Sequence, residues 1–361
     1  MAAQGRDAHV PQHTGDETVE PNAPARPTIS DIARRAGVSK GAVSFALNGR
    51  PGVSADTRGR ILRIAEELNW RPHRAARALS GARTDSVGLV FARPARTLGV
   101  EPFFAHLLSG LQAGLSAEGI ALQLLIVEDT EAEIDVYHRW ASEHRVDGLV
   151  LVDLKVDDPR IPAVEQLGLP AIILGGSGPH DSLSSVWADD HAAMTSIIDY
   201  LGALGHTRLA HIAGVSAFAH TQERVRALQE GTQRLALEHV QTVHTDFSDS
   251  EGASTTRRLL SGRPRPSAII YDSDVMAVAG LGVAMEMGVS VPGELSIISF
   301  DDSVLTQLMH PALTALTRDT YALGIQVAEA LMSVISDPHS RWHVQADTPS
   351  LVVRESTAPA A

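Results

Sequence analysis

Three short stretches near the start of the chain carry apolar residues at helical spacing. Ile29, Ile32, Ala33 and Ala36 fall on one face of a first helix, opened by "TISD", where Thr28 as N-cap and Asp31 three residues on form a capping box. Gly37 ends that helix and Ser39 caps the next, which runs from Lys40 to Leu47 and stops at Asn48-Gly49. Val43, Ala46 and Leu47 face inward there, leaving Lys40, Gly41, Ser44 and Phe45 together on the outer side. A third helix follows Ser54, with Ile61, Leu62, Ile64, Ala65 and Leu68 as its buried stripe. Three short helices with a tight glycine turn between the first two describe a helix–turn–helix module. The next stretch, "RPHRAARALSG" (Arg71 to Gly81), offers a brief Ala/Arg helix, shorter than the ~12–15 residues an isolated helix needs in water. It is expected to fold only against a partner.

From Ser86 the pattern changes to short apolar runs alternating with helical segments. The runs are "SVGLVFA", "ALQLLIV", "DGLVLVD", "PAIILGG", "RLAHIAG", "PSAIIYD" and "LSIISFD"; between them lie helices such as Phe104–Ala117, Glu131–His144 and His191–Leu204. Strand–helix alternation of this kind means parallel sheets covered on both faces. So many strands are too many for one lobe, and two α/β lobes are expected. The expected fold class is an all-α three-helix headpiece with a hinge helix, joined to a two-lobed α/β body. The expected organisation is a disordered polar tail over 1–27, the headpiece over 28–70, a hinge over 71–84 and the body over 85–357.

Charge sharpens this division. The chain of 361 residues has a formal net charge of −13, yet residues 26–83 hold 12 Lys and Arg against 4 Asp and Glu. An acidic body with a basic head meets a polyanion through one module rather than all over. The chain is 44% hydrophobic, with no apolar run near the ~20 residues that span a bilayer. The first residues lack the apolar core of a secretory signal, and with no cysteine there are no disulfides or thiolate metal sites, so a cytoplasmic location is expected.

In a helix–turn–helix the second helix enters the major groove. Lys40 can reach a guanine edge or a phosphate, and Ser44 suits a phosphate or close base contact. Gly41 has no side chain and lets the backbone approach. Phe45 either packs on a thymine methyl or sugar, or turns inward to complete a small core.

The stretch "TISDIARRAGVSKGAVSFALNGRPGVSADTRGRILRIAEELNWRPHRAARALSG" resembles the headpiece and hinge of the LacI/GalR family of bacterial transcriptional regulators, and the resemblance continues through the body. It implies a homodimer on a pseudo-palindromic double-stranded DNA operator. It also implies a hinge helix in the minor groove, where Leu79 wedges between base pairs; the other reading of Leu79 is a linker residue packed on the next domain. The DNA-facing positions it implies are Thr28, Ser39, Lys40, Gly41, Ala42, Ser44, Phe45, Asn48, Arg58, Arg74, Arg77 and Leu79. Two departures matter: His73 stands where the family usually has Asn, and Gly41-Ala42 replace a frequent polar pair.

The body resembles the family's periplasmic-binding-protein-like effector module, in which a small molecule sits between the lobes, beyond the carboxyl ends of the strands. "EPFF" places Phe103 or Phe104 at the cleft wall, and "WADDHAA" puts Asp190 where Asn is usual. "AHTQERVRALQEG" gives Arg224, "TDFSDSEG" gives Phe247, "YDSDVMAVAG" gives Ser273 and Asp274, and "SFDDS" gives Asp301. Carboxylates, an arginine and an aromatic suit a sugar or related polyol, through paired hydrogen bonds and a ring face on C–H groups. Asp189, Asp274 and Asp301 have a second reading as helix N-caps.

Catalytic motifs are not found: no G-x-S-x-G, H-E-x-x-H, P-loop or G-x-G-x-x-G follows a strand. The chain is read as a non-enzymatic, cofactor-free, one-component transcription factor, a repressor. The short tail after Val353 carries no leucine heptads, which favours a dimer over a tetramer. The alternatives are a DNA-binding or architectural protein whose cleft has lost its ligand, and a solute-binding protein.

Overall fold

The computed structural model describes residues 27–70, 83–93, 99, 101–176 and 178–360. Most of the expected tail (1–27) and hinge (71–84), including His73, Arg74, Arg77 and Leu79, lies outside the described residues. The described residues fall into two compact units divided between Ser80 and Gly81.

The first unit is a three-helix bundle: α1 (Ile29–Ala36), α2 (Lys40–Leu47) and α3 (Ala55–Glu67). The Thr28 N–H donates to the Asp31 carboxylate at 2.9 Å, the return bond of the capping box, and the Thr28 hydroxyl adds a second bond to that carboxylate at 2.7 Å. Gly37 ends α1 at φ 66°, a left-handed backbone that favours glycine. Ile32, Val43 and Ile61, one from each helix, are fully buried and form the core with Ala33, Ala36, Ala46 and Ala65. Leu62 departs from the expected stripe and is 46% exposed. It lies a helical step past Ile61, whereas Ile61, Ala65 and Leu68 at i, i+4 and i+7 hold the inner face.

The second unit is built on two sheets of six strands each. Lobe 1 begins with β1 (Ser86–Phe91), α4 (Pro102–Ala117), β2 (Ala121–Ile126), α5 (Thr130–Ser142), β3 (Gly148–Leu151), α6 (Arg160–Leu167), β4 (Ala171–Leu174) and β5 (Ser184–Trp187). The chain then crosses to lobe 2. That lobe holds α7 (Asp190–Ala203), β6 (Arg208–Ala213), α8 (Ala219–Arg234), β7 (His239–His244), α9 (Asp249–Ser261), β8 (Ala268–Tyr271), α10 (Asp274–Glu286), β9 (Ser296–Ser299), α11 (Val304–Leu308) and β10 (Thr314–Thr317). A second crossing returns α12 (Thr320–Ser336) and β11 (His343–Gln345) to lobe 1, and a third brings β12 (Ser350–Val352) back to lobe 2. The sheet orders are β11-β5-β4-β3-β1-β2 and β12-β10-β9-β8-β6-β7, parallel except for the antiparallel β10–β12 pair.

The fully buried central strands explain why the sequence shows near-continuous apolar runs there. In lobe 1, α4 and α12 meet at backbone distance across Gly110 and Gly324: a Cβ on Gly110 would stand 2.0 Å from the Tyr321 carbonyl oxygen. The stretch after Val353 is not a loose tail. Arg354 grips both oxygens of Asp302 at 2.9 and 2.6 Å, the buried Ser356 hydroxyl donates to the Ile297 carbonyl at 2.6 Å, and the Ala360 N–H donates to the Leu204 carbonyl at 2.8 Å. Lobe 2 therefore runs past the expected end at 357. Among the described residues no helix is long and apolar enough to cross a membrane.

Candidate functional site

The first candidate surface is the outer side of α2. Lys40, Gly41 and Phe45 are exposed, and Ala42 and Ser44 are half-buried. Phe45 is 42% exposed, so it points outward rather than completing the core; its ring rests on Gly52, where a Cβ would come within 3.3 Å of it. Several other expected DNA contacts have structural duties. Ser39 accepts the Ala42 N–H at 3.1 Å, and the Asn48 side chain donates to the Ser44 carbonyl at 2.9 Å. Arg58 donates to the Arg50 carbonyl at 2.6 Å, fixing the loop after α2. The face is thus a mixed one: a cation, bare backbone, a hydroxyl and an aromatic ring.

The second is a cleft of about 720 Å³, partly open to solvent, at the carboxyl ends of the strands of both lobes. Its wall contains Phe103, Phe104, Asp190, Arg224, Phe247, Ser273 and Asp301 of the expected residues. Asp274 is not among the lining residues. It occupies the first turn of α10, whose N-cap is Ser273, and its Oδ1 accepts the Val275 N–H at 2.7 Å. Asp189 is a cap, accepting the Ala192 N–H at 2.8 Å, whereas Asp301 is no cap but pairs with Arg318 at 2.6 Å.

Arg224 enters from α8 and is held on three sides. Its guanidinium lies 3.3 Å from Asp190 and 3.2 Å from Asp272, and 3.5 Å over the Phe300 ring. Asp272, fully buried, also accepts from the Gly214 N–H at 2.8 Å and faces His211 Nε2 at 2.9 Å. Burial alone would raise its pKa; Arg224, His211 and these hydrogen bonds overcome that and hold it well below the usual carboxylate range. Phe247 adopts φ 67°, a strained backbone for a bulky residue, with its ring laid over Gly214.

Arg93, just beyond β1, is the other fixed cation. Its Nε and Nη2 donate to both oxygens of Asp153 at 2.6 and 2.8 Å, and Nη1 donates to Glu101 at 3.1 Å. Its guanidinium is also 5.0, 5.2 and 4.7 Å from the ring centroids of Phe104, Phe218 and Phe247. Arg93, Glu101, Asp153 and Phe104 belong to lobe 1, while Phe218 and Phe247 belong to lobe 2, so this contact spans the cleft. His220, half-buried beside it, is held neutral: burial and the Arg224 charge push its pKa down to about 4.

Burial pushes Glu101 up to about 8, against the attraction of Arg93 and with the repulsion of Asp153, Asp301 and Asp274. The folded chain therefore keeps this proton where an unfolded one has lost it, and stability falls as pH rises from about 4.5 through 8. Glu101→Gln is expected to flatten that decline, seen as a smaller fall in urea midpoint between pH 6 and 8.5 than in wild type.

Sequence reasoning missed Arg93, Glu101, Asp153, His220, Asp272 and Arg318. A signal existed for three of them: Arg93, Asp153 and Asp272 each follow closely on the apolar run of a strand, at the carboxyl end where the cleft lies.

A helix–turn–helix unit and a two-lobed unit with a charged interlobe cleft, on one chain, define a DNA-binding regulator with an effector domain. Residues 28–73 match the model of the bacterial regulatory proteins of the lacI family, and residues 198–357 match the periplasmic binding protein-like domain. The chain is 31% identical over 316 residues to the HTH-type transcriptional regulator CelR of Thermobifida fusca, covering 86% of this chain and 92% of that one. Among solved structures, a LacI family transcriptional regulator from Bifidobacterium animalis subsp. lactis DSM 10140 superposes with TM-score 0.71 at 36% identity, over 78% of this chain and all of that one. A CelR–cellobiose complex does so with TM-score 0.69 at 30% identity, over 92% and 100%. The protein belongs to the LacI family and is a DNA-binding transcriptional regulator, not an enzyme.

Proposed function

We propose that this regulator is a cytoplasmic repressor that acts as a homodimer on a pseudo-palindromic operator and is controlled by a sugar or related polyol bound between its lobes. The observation that carries the reading is the cleft: aromatic rings and arginine–carboxylate pairs converge there from both lobes, the chemistry that stacks on C–H faces and hydrogen-bonds vicinal hydroxyls. A ligand touching both lobes changes their closure, and differential affinity for two closures is what couples it to DNA. The relative that was solved with cellobiose supports the ligand class.

On the DNA side, the α2 face holds few hydrogen-bonding groups. Lys40 and Ser44 are assigned to phosphate or base contact and Phe45 to an apolar contact in the groove. Residues 71–84 are assigned as the hinge, with Leu79 as its minor-groove wedge and Arg74 and Arg77 on phosphates. Selection from random duplexes is expected to enrich a palindrome with a flexible central step. Leu79→Ala should weaken binding to it at least tenfold, roughly 1.4 kcal/mol, while binding to bulk DNA changes little. Loss of that difference, or no palindrome at all, rejects the assignment.

Dimerisation has a candidate surface on lobe 2. Met285 near the end of α10 and Val304 and Leu308 on α11, which packs on it, are 62%, 59% and 70% exposed. An apolar group of this kind is suited to burial against a second copy. Leu308→Glu is expected to shift the protein to monomer in analytical ultracentrifugation and to weaken operator binding more than tenfold.

A further inference from the structure

The effector cleft carries more negative than positive charge. Among the described residues its three guanidiniums are each already paired: Arg93 with Asp153 and Glu101, Arg224 with Asp190 and Asp272, Arg318 with Asp301. Five carboxylates thus face three cations, and a sixth, Asp274, stands behind Asp301. Asp274 is 3% exposed and its Oδ2 has no hydrogen-bond partner among the described residues. His220 adds no charge, being held neutral. Burial, together with repulsion from Asp301 and against a hydrogen bond from the Ser303 hydroxyl, lifts the Asp274 pKa to about 6, and burial lifts that of Glu101 to about 8.

The place where a cation fits is already built. Three rings surround the Arg93 guanidinium at 4.7–5.2 Å while two carboxylates bind its edge. Ring faces plus carboxylates are the components of a cage for an organic cation. Phe247, the ring expected to stack on a ligand, is covered by this side chain. A ligand that stacks there must exchange with Arg93. A neutral or anionic one would leave Asp153, which is held ionised, without a counter-charge in a desolvated site. A ligand with a cationic nitrogen restores the balance.

We propose that the effector of this cleft is a polyhydroxylated molecule bearing a cationic nitrogen, an amino sugar in class, whose nitrogen takes the place of the Arg93 guanidinium against Asp153 and Glu101 within the Phe104, Phe218 and Phe247 rings. This rests on the reading of the cleft as a polyol site and narrows it. Arg93 then acts as a tethered occupant that sets the threshold for binding and rejects acidic sugars.

The test is thermal shift and calorimetry on the full chain with matched probes: glucose, glucosamine, N-acetylglucosamine and glucuronate, cellobiose and its diamino counterpart, and methylguanidine as a cation without hydroxyls. The free amines are expected to bind at least tenfold more tightly than their neutral, acetylated or acidic counterparts. Arg93→Ala should increase that affinity, and Asp153→Asn should decrease it. Neutral or acidic sugars binding as tightly as the amines overturn the proposal while leaving the polyol reading intact. Methylguanidine binding with no saccharide bound upholds the cation cage and removes the polyol reading. No stabilisation by any cation at concentrations of about 50 mM, where even millimolar affinity gives a measurable shift, overturns the proposal. If Arg93→Ala fails to fold, refolding that is rescued by methylguanidine but not by methylurea supports the cage, and rescue by neither overturns it.

Discussion

Arg224→Ala is expected to destabilise the effector unit by roughly 3–5 kcal/mol and to abolish its response to effector. The side chain is 5% exposed and is the cationic partner of Asp272, which is fully buried. Removing it leaves a carboxylate in a desolvated site with His211 and one N–H for company. The pH behaviour gives a second readout. In wild type Asp272 has a depressed pKa, so its contribution is present above the ordinary carboxylate range and is lost as pH falls. In the variant, burial raises that pKa instead, so stability should fall as pH rises from 4 to 7. The double substitution Arg224→Met with Asp272→Asn removes both charges and should regain much of the stability without the effector response. Urea titrations at pH 5 and 7 check all three statements. If the single variant is as stable as wild type, the Arg224–Asp272 pair is not the anchor described above.

Gly110→Ala is expected to lower stability by about 3 kcal/mol, near the upper end for overpacking, because the obstacle is backbone rather than a movable side chain. The added Cβ would meet the Tyr321 carbonyl at 2.0 Å, and the reciprocal contact at Gly324 leaves 2.4 Å to the Leu107 carbonyl. Neither helix can yield by a rotamer change; α4 and α12 must move apart. The damage should reach the cleft, since Phe103 lies in the first turn of α4 and Arg318 lies two residues before α12, stacked at 5.1 Å. Calorimetric unfolding should show a lowered transition for the effector unit, and effector affinity should fall at least tenfold. A variant with wild-type melting would mean that the two helices are not held at this separation.

How much of this was legible in the sequence differs between the two units. In the headpiece the capping and turn signals agree with the fold: Thr28 with Asp31, Gly37, Ser39 and the 40–47 helix stand where pattern and capping put them. Leu62 misled because apolar content was read as burial, although its angular position lies off the inner stripe. In the body all seven apolar runs are strands, the edge strand β2 among them, but "SSVW", "HVQTVH", "TALT" and the short strands β11 and β12 carry no such pattern. These are brief, polar or edge strands, and β11 and β12 pair with segments far away in sequence, which no local pattern reveals. Single cleft residues followed the same logic. Arg224 and Phe247 were visible through motif resemblance. Arg93 and Asp272 owe their roles to partners about 60 residues away, at Asp153 and His211, and so became apparent only in three dimensions.

Three segments join the lobes, at 187–190, 317–320 and 345–350, and Ala188, Arg318, Asp319, Asp347 and Thr348 from all three border one shared hollow. In the language of linkages, neighbouring tethers of this kind remove the freedom to slide or to part and leave rotation about the line they define. The cleft can therefore change its aperture but not its alignment: Phe247 and Phe104 return to the same places about the Arg93 guanidinium after each opening. A molecule held between the lobes is accordingly felt through one angular coordinate, by how far it lets that angle close.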